Sequence, residues 1–173
     1  MLYRKADVHD TDAAEAIYAR VHDAQAAGKL NVGWQRGVYP TRKTVEKAVA
    51  DGEMYVCEKD GKIVAAAVIN QKQVDVYADA DWRYAAPDSE VWVLHTLAVD
   101  PDASGQGIGS GFVRFYEQTA KASGGTVLRM DTNEINARAR RLYAHLGFRE
   151  AAVVPCMFNG IKGVNLVLLE KKP

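Results

Sequence analysis

A chain of 173 residues with 48% hydrophobic and 25% charged side chains is the size of one domain and buries a core without disulfide or metal staples, which excludes a disordered, fibrous or repeat protein. Its 22 basic and 22 acidic residues cancel, so neither a global field nor a local lysine and arginine run favours nucleic acid as a partner. The opening Met1-Leu2-Tyr3-Arg4-Lys5-Ala6-Asp7 lacks a signal-peptide core, and no apolar run approaches the roughly 20 residues that span a bilayer, so a cytoplasmic protein with no membrane partner is expected.

Residues 2–6 read as a strand, and Asp10-Thr11-Asp12 forms a capping cluster ahead of an alanine-rich helix over about 13–26. Residues 28–40 form a loop carrying Trp34 and Tyr39. Thr41 then caps a second helix with Val45, Ala48 and Val49 on one face, ended by Asp51-Gly52. Residues 54–58 and 63–70 are apolar strands joined through Asp60-Gly61, a hairpin signal. A polar and aromatic stretch over 71–89, with Tyr77, Trp82 and Tyr84, precedes a long strand over 90–99.

Beyond Asp100-Pro101-Asp102, a glycine cluster opens a helix over about 107–123, with Ile108, Phe112, Phe115 and Thr119 on one face and Gly124-Gly125 as its stop. A strand over 126–131, a helix over 134–146 ended by Gly147, and strands over 153–158 and 164–169 around Asn159-Gly160 complete the chain. Cys57 and Cys156 sit singly in apolar strand-like runs, as reduced core thiols do, rather than as a disulfide or metal site. With no internal linker or repeat, the order predicts a single α/β domain over 1–173. Its sheet is mixed and mostly antiparallel, about seven strands with about four helices, and carries a β-α-β crossover in its middle.

The chemistry concentrates at Ser104-Gly105-Gln106-Gly107-Ile108-Gly109-Ser110, where a strand passes into a helix. Side-chain-free backbone N–H groups at a helix N-terminus, with the positive end of its dipole, cradle a diphosphate without a lysine, and the Ser104 and Ser110 hydroxyls can add hydrogen bonds. A Walker loop is excluded, because no Gly-Lys-Ser/Thr follows the glycines. The dinucleotide pattern G-x-G-x-x-G fails too, since its last position falls on Ser110 or Phe112. A plain strand-to-helix turn is the competing reading, although it does not require alternating glycines.

Leu97-Ala98-Val99-Asp100-Pro101 followed by this loop, and Asn136-Ala137-Arg138-Ala139-Arg140-Arg141-Leu142-Tyr143-Ala144-His145-Leu146-Gly147-Phe148 one strand later, resemble the two motifs of the GCN5-related N-acetyltransferases (GNAT family). The resemblance covers roughly residues 90 to 150, and it departs from the family at Ser104, where an Arg or Gln is usual. It implies the GNAT fold and acetyl-CoA as acyl donor. It also implies a primary amine on a small molecule or peptide as acceptor, acylated directly in a ternary complex.

By that resemblance Leu97, Ala98 and Val99 present backbone groups to the pantetheine arm, with the Leu97 N–H facing the thioester oxygen. Residues Ser104 to Ser110 hold the pyrophosphate, Asn136 hydrogen-bonds the arm, and Tyr143 protonates the leaving sulfur. Asn136 and Tyr143 are seven residues apart, which brings them within about 20° on a helix, at the margin of a buried stripe made by Ile135, Ala139, Leu142 and Leu146. Arg138, Arg140 and Arg141 read as a solvated face.

For the general base, His95 lies two residues before Leu97 and points to the same side if the strand is regular. Glu90 and Asp131 are the alternatives, and a bulge would change which side each faces. Trp34, Tyr39, Tyr77, Trp82 and Tyr84 either form an amine pocket or serve as packing anchors. A coenzyme A-binding sensor without acceptor chemistry, or a transferase of a longer acyl-CoA, fits the same motifs. No metal is implied, and a homodimer is compatible with the sequence.

Overall fold

A computed structural model describes all residues from Met1 to Pro173. Seven strands, β1 (Leu2–Lys5), β2 (Met54–Lys59), β3 (Lys62–Asn70), β4 (Val91–Val99), β5 (Val127–Asn133), β6 (Arg149–Phe158) and β7 (Ile161–Lys171), alternate with four helices, α1 (Thr11–Ala26), α2 (Arg42–Ala50), α3 (Ile108–Ala122) and α4 (Ala137–His145). The strands form one sheet in the order β1-β2-β3-β4-β5-β7-β6. Pairs β1–β2, β2–β3, β5–β7 and β6–β7 are antiparallel, whereas β4–β5 is parallel, as the crossover through α3 requires. The expected mixed, mostly antiparallel seven-stranded sheet with four helices is the one observed.

The chain divides into two compact units, one of Met1–Leu30, Trp34–Ile69 and His95–Phe115, the other of Asn31–Gly33, Asn70–Leu94 and Tyr116–Pro173. In the first unit, α1 buries Ala14, Ile17, Tyr18, Val21 and Ala24, spaced three and four apart, which is the helical condition for a single core-facing stripe. A capping box of Thr41 and Thr44 starts α2. The β2–β3 hairpin turns at Asp60 (φ 52°) and Gly61 (φ 74°), the paired left-handed residues of a type I′ turn, whose twist matches the strands it joins.

The second unit holds a core of Tyr77, Val91, Val93, Val127, Val164, Leu166 and Leu168. Its β6–β7 hairpin uses the same device, at Asn159 (φ 49°) and Gly160 (φ 83°). Glu170 on β7 is fully buried. It accepts the backbone N–H groups of Arg83 (2.9 Å) and Tyr84 (3.1 Å) and pairs with Arg149, which fastens the 71–89 segment to the sheet.

Two expected helix faces are corrected. On α3 the fully buried residues are Ile108, Phe112, Val113, Tyr116 and Ala120, so the stripe is rotated away from Phe115 and Thr119. Tyr116 anchors that face by donating its hydroxyl to the carbonyls of Trp92 (2.6 Å) and Arg129 (3.0 Å). On α4 the helix starts three residues later than expected, because Asn136 is its N-cap and accepts the Ala139 N–H at 3.2 Å. Ile135 then falls in the preceding turn and is 50% exposed. Ala139, Leu142 and Leu146 are half-buried, and the side chain the helix buries is Tyr143.

Candidate functional site

In the first unit, β4 ends at Val99 and the chain turns on Asp100. The Asp100 N–H reaches the Val64 carbonyl at 2.9 Å. Its carboxylate accepts the Asp102 N–H (3.1 Å) and pairs with Arg20 (2.7 Å). Gly105 (φ 79°) and Gly107 (φ 75°) follow, both left-handed, and a Cβ on either would meet nothing within 4 Å. These two positions thus combine a conformation that L side chains resist with open space above the backbone. Residues Ser104, Gly105, Gln106 and Gly107 are exposed.

The first helical hydrogen bond at the turn runs from the Gly111 N–H to the Gly107 carbonyl at 2.9 Å, so by helix geometry the N–H groups of Ile108, Gly109 and Ser110 have no carbonyl one turn back. The first turn of α3 carries no acidic residue, and the Lys59 ammonium donates to the Gln106 side chain. This is a positively biased, open cradle suited to a diphosphate. Gly109 lies inside the helix, whereas Gly111 makes room for the Tyr3 ring, whose hydroxyl donates to the Ile108 carbonyl at 3.1 Å.

Just upstream, β4 is irregular. Thr96 has φ 50°, a conformation rare for a β-branched residue. Its carbonyl accepts the Tyr18 hydroxyl at 3.1 Å, and its own hydroxyl is buried without a partner. Burial along the strand changes phase at this point, with Val91 and Val93 buried before it and Leu94 and Ala98 around it. The regular strand that would set His95 and Leu97 on one side is therefore absent, and His95, Thr96 and Leu97 are all half-buried. No local signal announces this bend, since threonine rarely adopts left-handed backbone.

In the second unit, the β4–β5 ladder runs from Val91↔Val127 to Leu94↔Met130, and the next residue of β5 is Asp131. The Tyr77 hydroxyl donates to its Oδ2 at 2.8 Å. Burial raises the Asp131 carboxyl from 3.8 to about 6, against the lowering effect of the Tyr77 bond. Tyr143 is 6% exposed, edge-on to Phe148 at 6.2 Å. Its hydroxyl is held well above the usual tyrosine range, first by burial and then by the negative charge of Asp131. Cys156 is raised by the same two causes.

The structure sets Glu90 apart from this group. Its carboxylate accepts the Thr126 hydroxyl at 2.8 Å, and Thr126 precedes Asp131 by five strand residues, roughly 16 Å. Of the aromatics, Tyr77 and Trp82 meet edge to face at 5.4 Å, the Trp82 indole N–H donates to the Tyr77 carbonyl (2.7 Å), and the Arg129 guanidinium lies 4.1 Å from the Trp82 ring centre. Tyr84 packs against the same core, and its carbonyl accepts from Arg129 at 3.3 Å. These contacts anchor the 71–89 segment. In the first unit Trp34 stands edge-on to Tyr18 at 5.7 Å, and Tyr39 closes a small bridge with Gln35. Arg140 is held by Glu150 at 2.8 and 2.9 Å.

A sequence profile described as the acetyltransferase (GNAT) family matches residues 14–148. An uncharacterized N-acetyltransferase of Methanocaldococcus jannaschii is 30% identical over 131 residues, 76% of this chain and 52% of that protein, so the chain spans about half the length of that relative. Among solved structures, a GNAT-family acetyltransferase of Streptococcus agalactiae superposes with a TM-score of 0.78 at 20% identity, covering 99% of this chain and 95% of that one. A structure from Salmonella typhimurium that contains its cofactor acetyl-CoA gives 0.68 at 20% identity, covering 99% and 92%. No helix of the chain is long and apolar enough to cross a membrane.

Proposed function

Because the chain belongs to the acetyltransferase (GNAT) family and is thereby an acyltransferase, we propose that it moves an acetyl group from acetyl-CoA directly to a primary amine of a small molecule or peptide within a ternary complex. The observation that carries this reading is the open left-handed turn at Gly105 and Gly107 leading into α3. Its backbone N–H groups fit a pyrophosphate without a side-chain ligand, which suits a loop that has Ser104 where the family usually has Arg or Gln.

Acetyl-CoA supplies a thioester, whose carbonyl needs a hydrogen-bond donor as negative charge develops and whose sulfur needs a proton as it leaves. The Leu97 N–H, following the left-handed Thr96, is the donor assigned to the thioester oxygen. Asn136 spends its carbonyl oxygen on capping α4, so its amide N–H groups are the part assigned to the pantetheine arm. Tyr143 retains its proton across the working pH range because burial and Asp131 both raise its hydroxyl, and it is assigned to protonate the sulfur.

Calorimetric titration with acetyl-CoA, followed by free-thiol release across a panel of primary amines, tests the proposal. Binding with amine-dependent thiol release is expected. No binding would remove the cradle, and binding with no turnover on any amine would make the chain a coenzyme A sensor.

A further inference from the structure

Asp60, Thr96 and Asn159 are the non-glycine residues with left-handed backbone. Asp60 and Asn159 sit in hairpin turns, whereas Thr96 lies within a strand, β4. The Thr96 hydroxyl is buried without a partner, so the residue does not hold its own bend through a side-chain hydrogen bond. The hold comes from α1, whose Tyr18 hydroxyl donates to the Thr96 carbonyl at 3.1 Å. Tyr18 is 2% exposed. It belongs to the buried stripe of α1 with Ile17 and Val21 and stands edge-on to Trp34 at 5.7 Å, which fixes where its hydroxyl lies. Two residues further along α1, Arg20 pairs with Asp100 at 2.7 Å. The helix therefore grips β4 on both sides of Leu97, Ala98 and Val99, the residues assigned to the pantetheine arm.

The Thr96 carbonyl and the Leu97 N–H belong to one planar trans peptide group, in which oxygen and hydrogen point in opposite directions. Anchoring the oxygen on α1 therefore sets the direction of the N–H. A hydrogen bond accepted by the oxygen also draws electron density toward it, and the N–H of the same group becomes a stronger donor, because linked hydrogen bonds polarise one another. Resting on the acetyl-transfer reading, we propose that Tyr18 is a positioning residue for acyl transfer: its hydroxyl orients and polarises the Thr96–Leu97 peptide, and through it the donor that meets the thioester oxygen. As the amine lone pair forms the C–N bond, the carbonyl π pair moves onto that oxygen, and it returns when the C–S bond breaks with its pair on sulfur. The Leu97 N–H receives the transient charge, and Tyr18 neither gains nor loses a proton. Burial raises the Tyr18 hydroxyl to about 12, against the lowering effect of the Thr96 bond, so it donates throughout the working pH range.

The test compares the wild type with Tyr18→Phe, which keeps the ring beside Trp34 and removes the hydroxyl. The control is Tyr116→Phe, which removes another buried hydroxyl, one that donates to the carbonyls of Trp92 and Arg129. Tyr18→Phe is also made on Thr96→Gly and judged against it, since glycine removes the cost of the left-handed backbone and keeps the pair folded should the single variant unfold. Three readouts are taken: the infrared carbonyl stretch of bound acetyl-CoA labelled with carbon-13 at the acetyl carbonyl, without amine; the Leu97 nitrogen-15 resonance without ligand; and steady-state kinetics with 2-phenylethylamine, putrescine and a peptide with a free N-terminal alanine. In Tyr18→Phe the bound carbonyl stretch should move back toward that of free acetyl-CoA, and the Leu97 nitrogen should move upfield. Its kcat should fall about tenfold, less than the roughly 100-fold of losing an oxyanion donor outright, while the acetyl-CoA KM stays within about twofold. Tyr116→Phe should melt at a lower temperature and leave all three readouts at wild-type values. A carbonyl stretch or a kcat unmoved in Tyr18→Phe overturns the inference and leaves acetyl transfer standing, and so does the same shift in Tyr116→Phe, which would make the effect global. If the wild type binds acetyl-CoA but acetylates none of the panel, the functional reading fails alone. The carbonyl stretch and the Leu97 resonance then decide the inference: movement of both in Tyr18→Phe supports it, and a stretch that stays overturns it. No binding of acetyl-CoA by the wild type overturns both.

Discussion

Gly107→Ala tests the phosphate cradle against a matched control. Gly107 (φ 75°) and Gly28 (φ 71°) are both left-handed, and a Cβ at either meets nothing within 4 Å. Alanine therefore imposes the same backbone cost at both, about 1–2 kcal/mol, or a Tm loss of roughly 2–8 °C for a chain of this length. Neither methyl clashes inside the protein. At Gly28 it follows the end of α1; at Gly107 it enters the open space at the N-terminus of α3 that the pyrophosphate is assigned. Thermal melts without ligand should show two similar losses. Calorimetry should show acetyl-CoA bound at least tenfold more weakly by Gly107→Ala, about 1.4 kcal/mol, with Gly28→Ala within about twofold of the wild type by the same scale. Equal melts with wild-type affinity in both variants would reduce the glycine turn to a structural feature, and equal loss of affinity in both would trace it to global destabilisation.

Three further outcomes follow from the second unit. Asp131→Asn should stabilise the protein at neutral pH. The folded carboxyl is raised from 3.8 to about 6, so its contribution to stability is present below about pH 4 and lost as pH rises through about 6, a loss of up to about 3 kcal/mol. Urea melts should show the variant's advantage opening across that window and flat above it; an advantage that is the same at pH 4 and pH 8 would refute the assignment. Arg149→Leu leaves Glu170 buried with only two backbone donors and should cost about 3 kcal/mol in the same melts, so a loss below about 1 kcal/mol would show the pair to be dispensable. Tyr143→Phe should keep the acetyl-CoA Kd and the melting curve while lowering kcat about 100-fold or more; unchanged kcat would remove Tyr143 as the sulfur's proton donor.

What was legible in the sequence was what local chemistry dictates. Asp60-Gly61 and Asn159-Gly160 announce type I′ hairpins, and both pairs adopt left-handed backbone. Alternating glycines announce the turn before α3. Helix faces were read less well, because periodicity alone does not show where a helix begins: once Asn136 becomes the N-cap, Ile135 lies outside α4 and Tyr143 takes the buried position. Two features of the candidate site had no local signal. The bend at Thr96 places a β-branched residue in a conformation its side chain disfavours, held by the Tyr18 hydroxyl from α1. The Tyr77–Asp131 bond joins residues 54 positions apart, and only the docking of the 71–89 segment through Glu170 and Arg129 creates it.

The features that break local rules also share a cost. A left-handed non-glycine residue such as Thr96 costs about 1–3 kcal/mol, and the Thr96 hydroxyl is buried without a partner as well. Asp131 adds up to about 3 kcal/mol at neutral pH. Against a total stability of about 5–15 kcal/mol for a native protein, these are large, and a single substitution would relieve either one: glycine at 96, asparagine at 131. Glu170 shows that the same chain can bury a carboxylate and satisfy it fully. The contrast argues that the strain at Thr96 and the unpaired charge at Asp131 are maintained by use. Thr96 bends β4 immediately before the N–H assigned to the thioester oxygen, and Asp131 holds its carboxylate against the neutral Tyr77 hydroxyl.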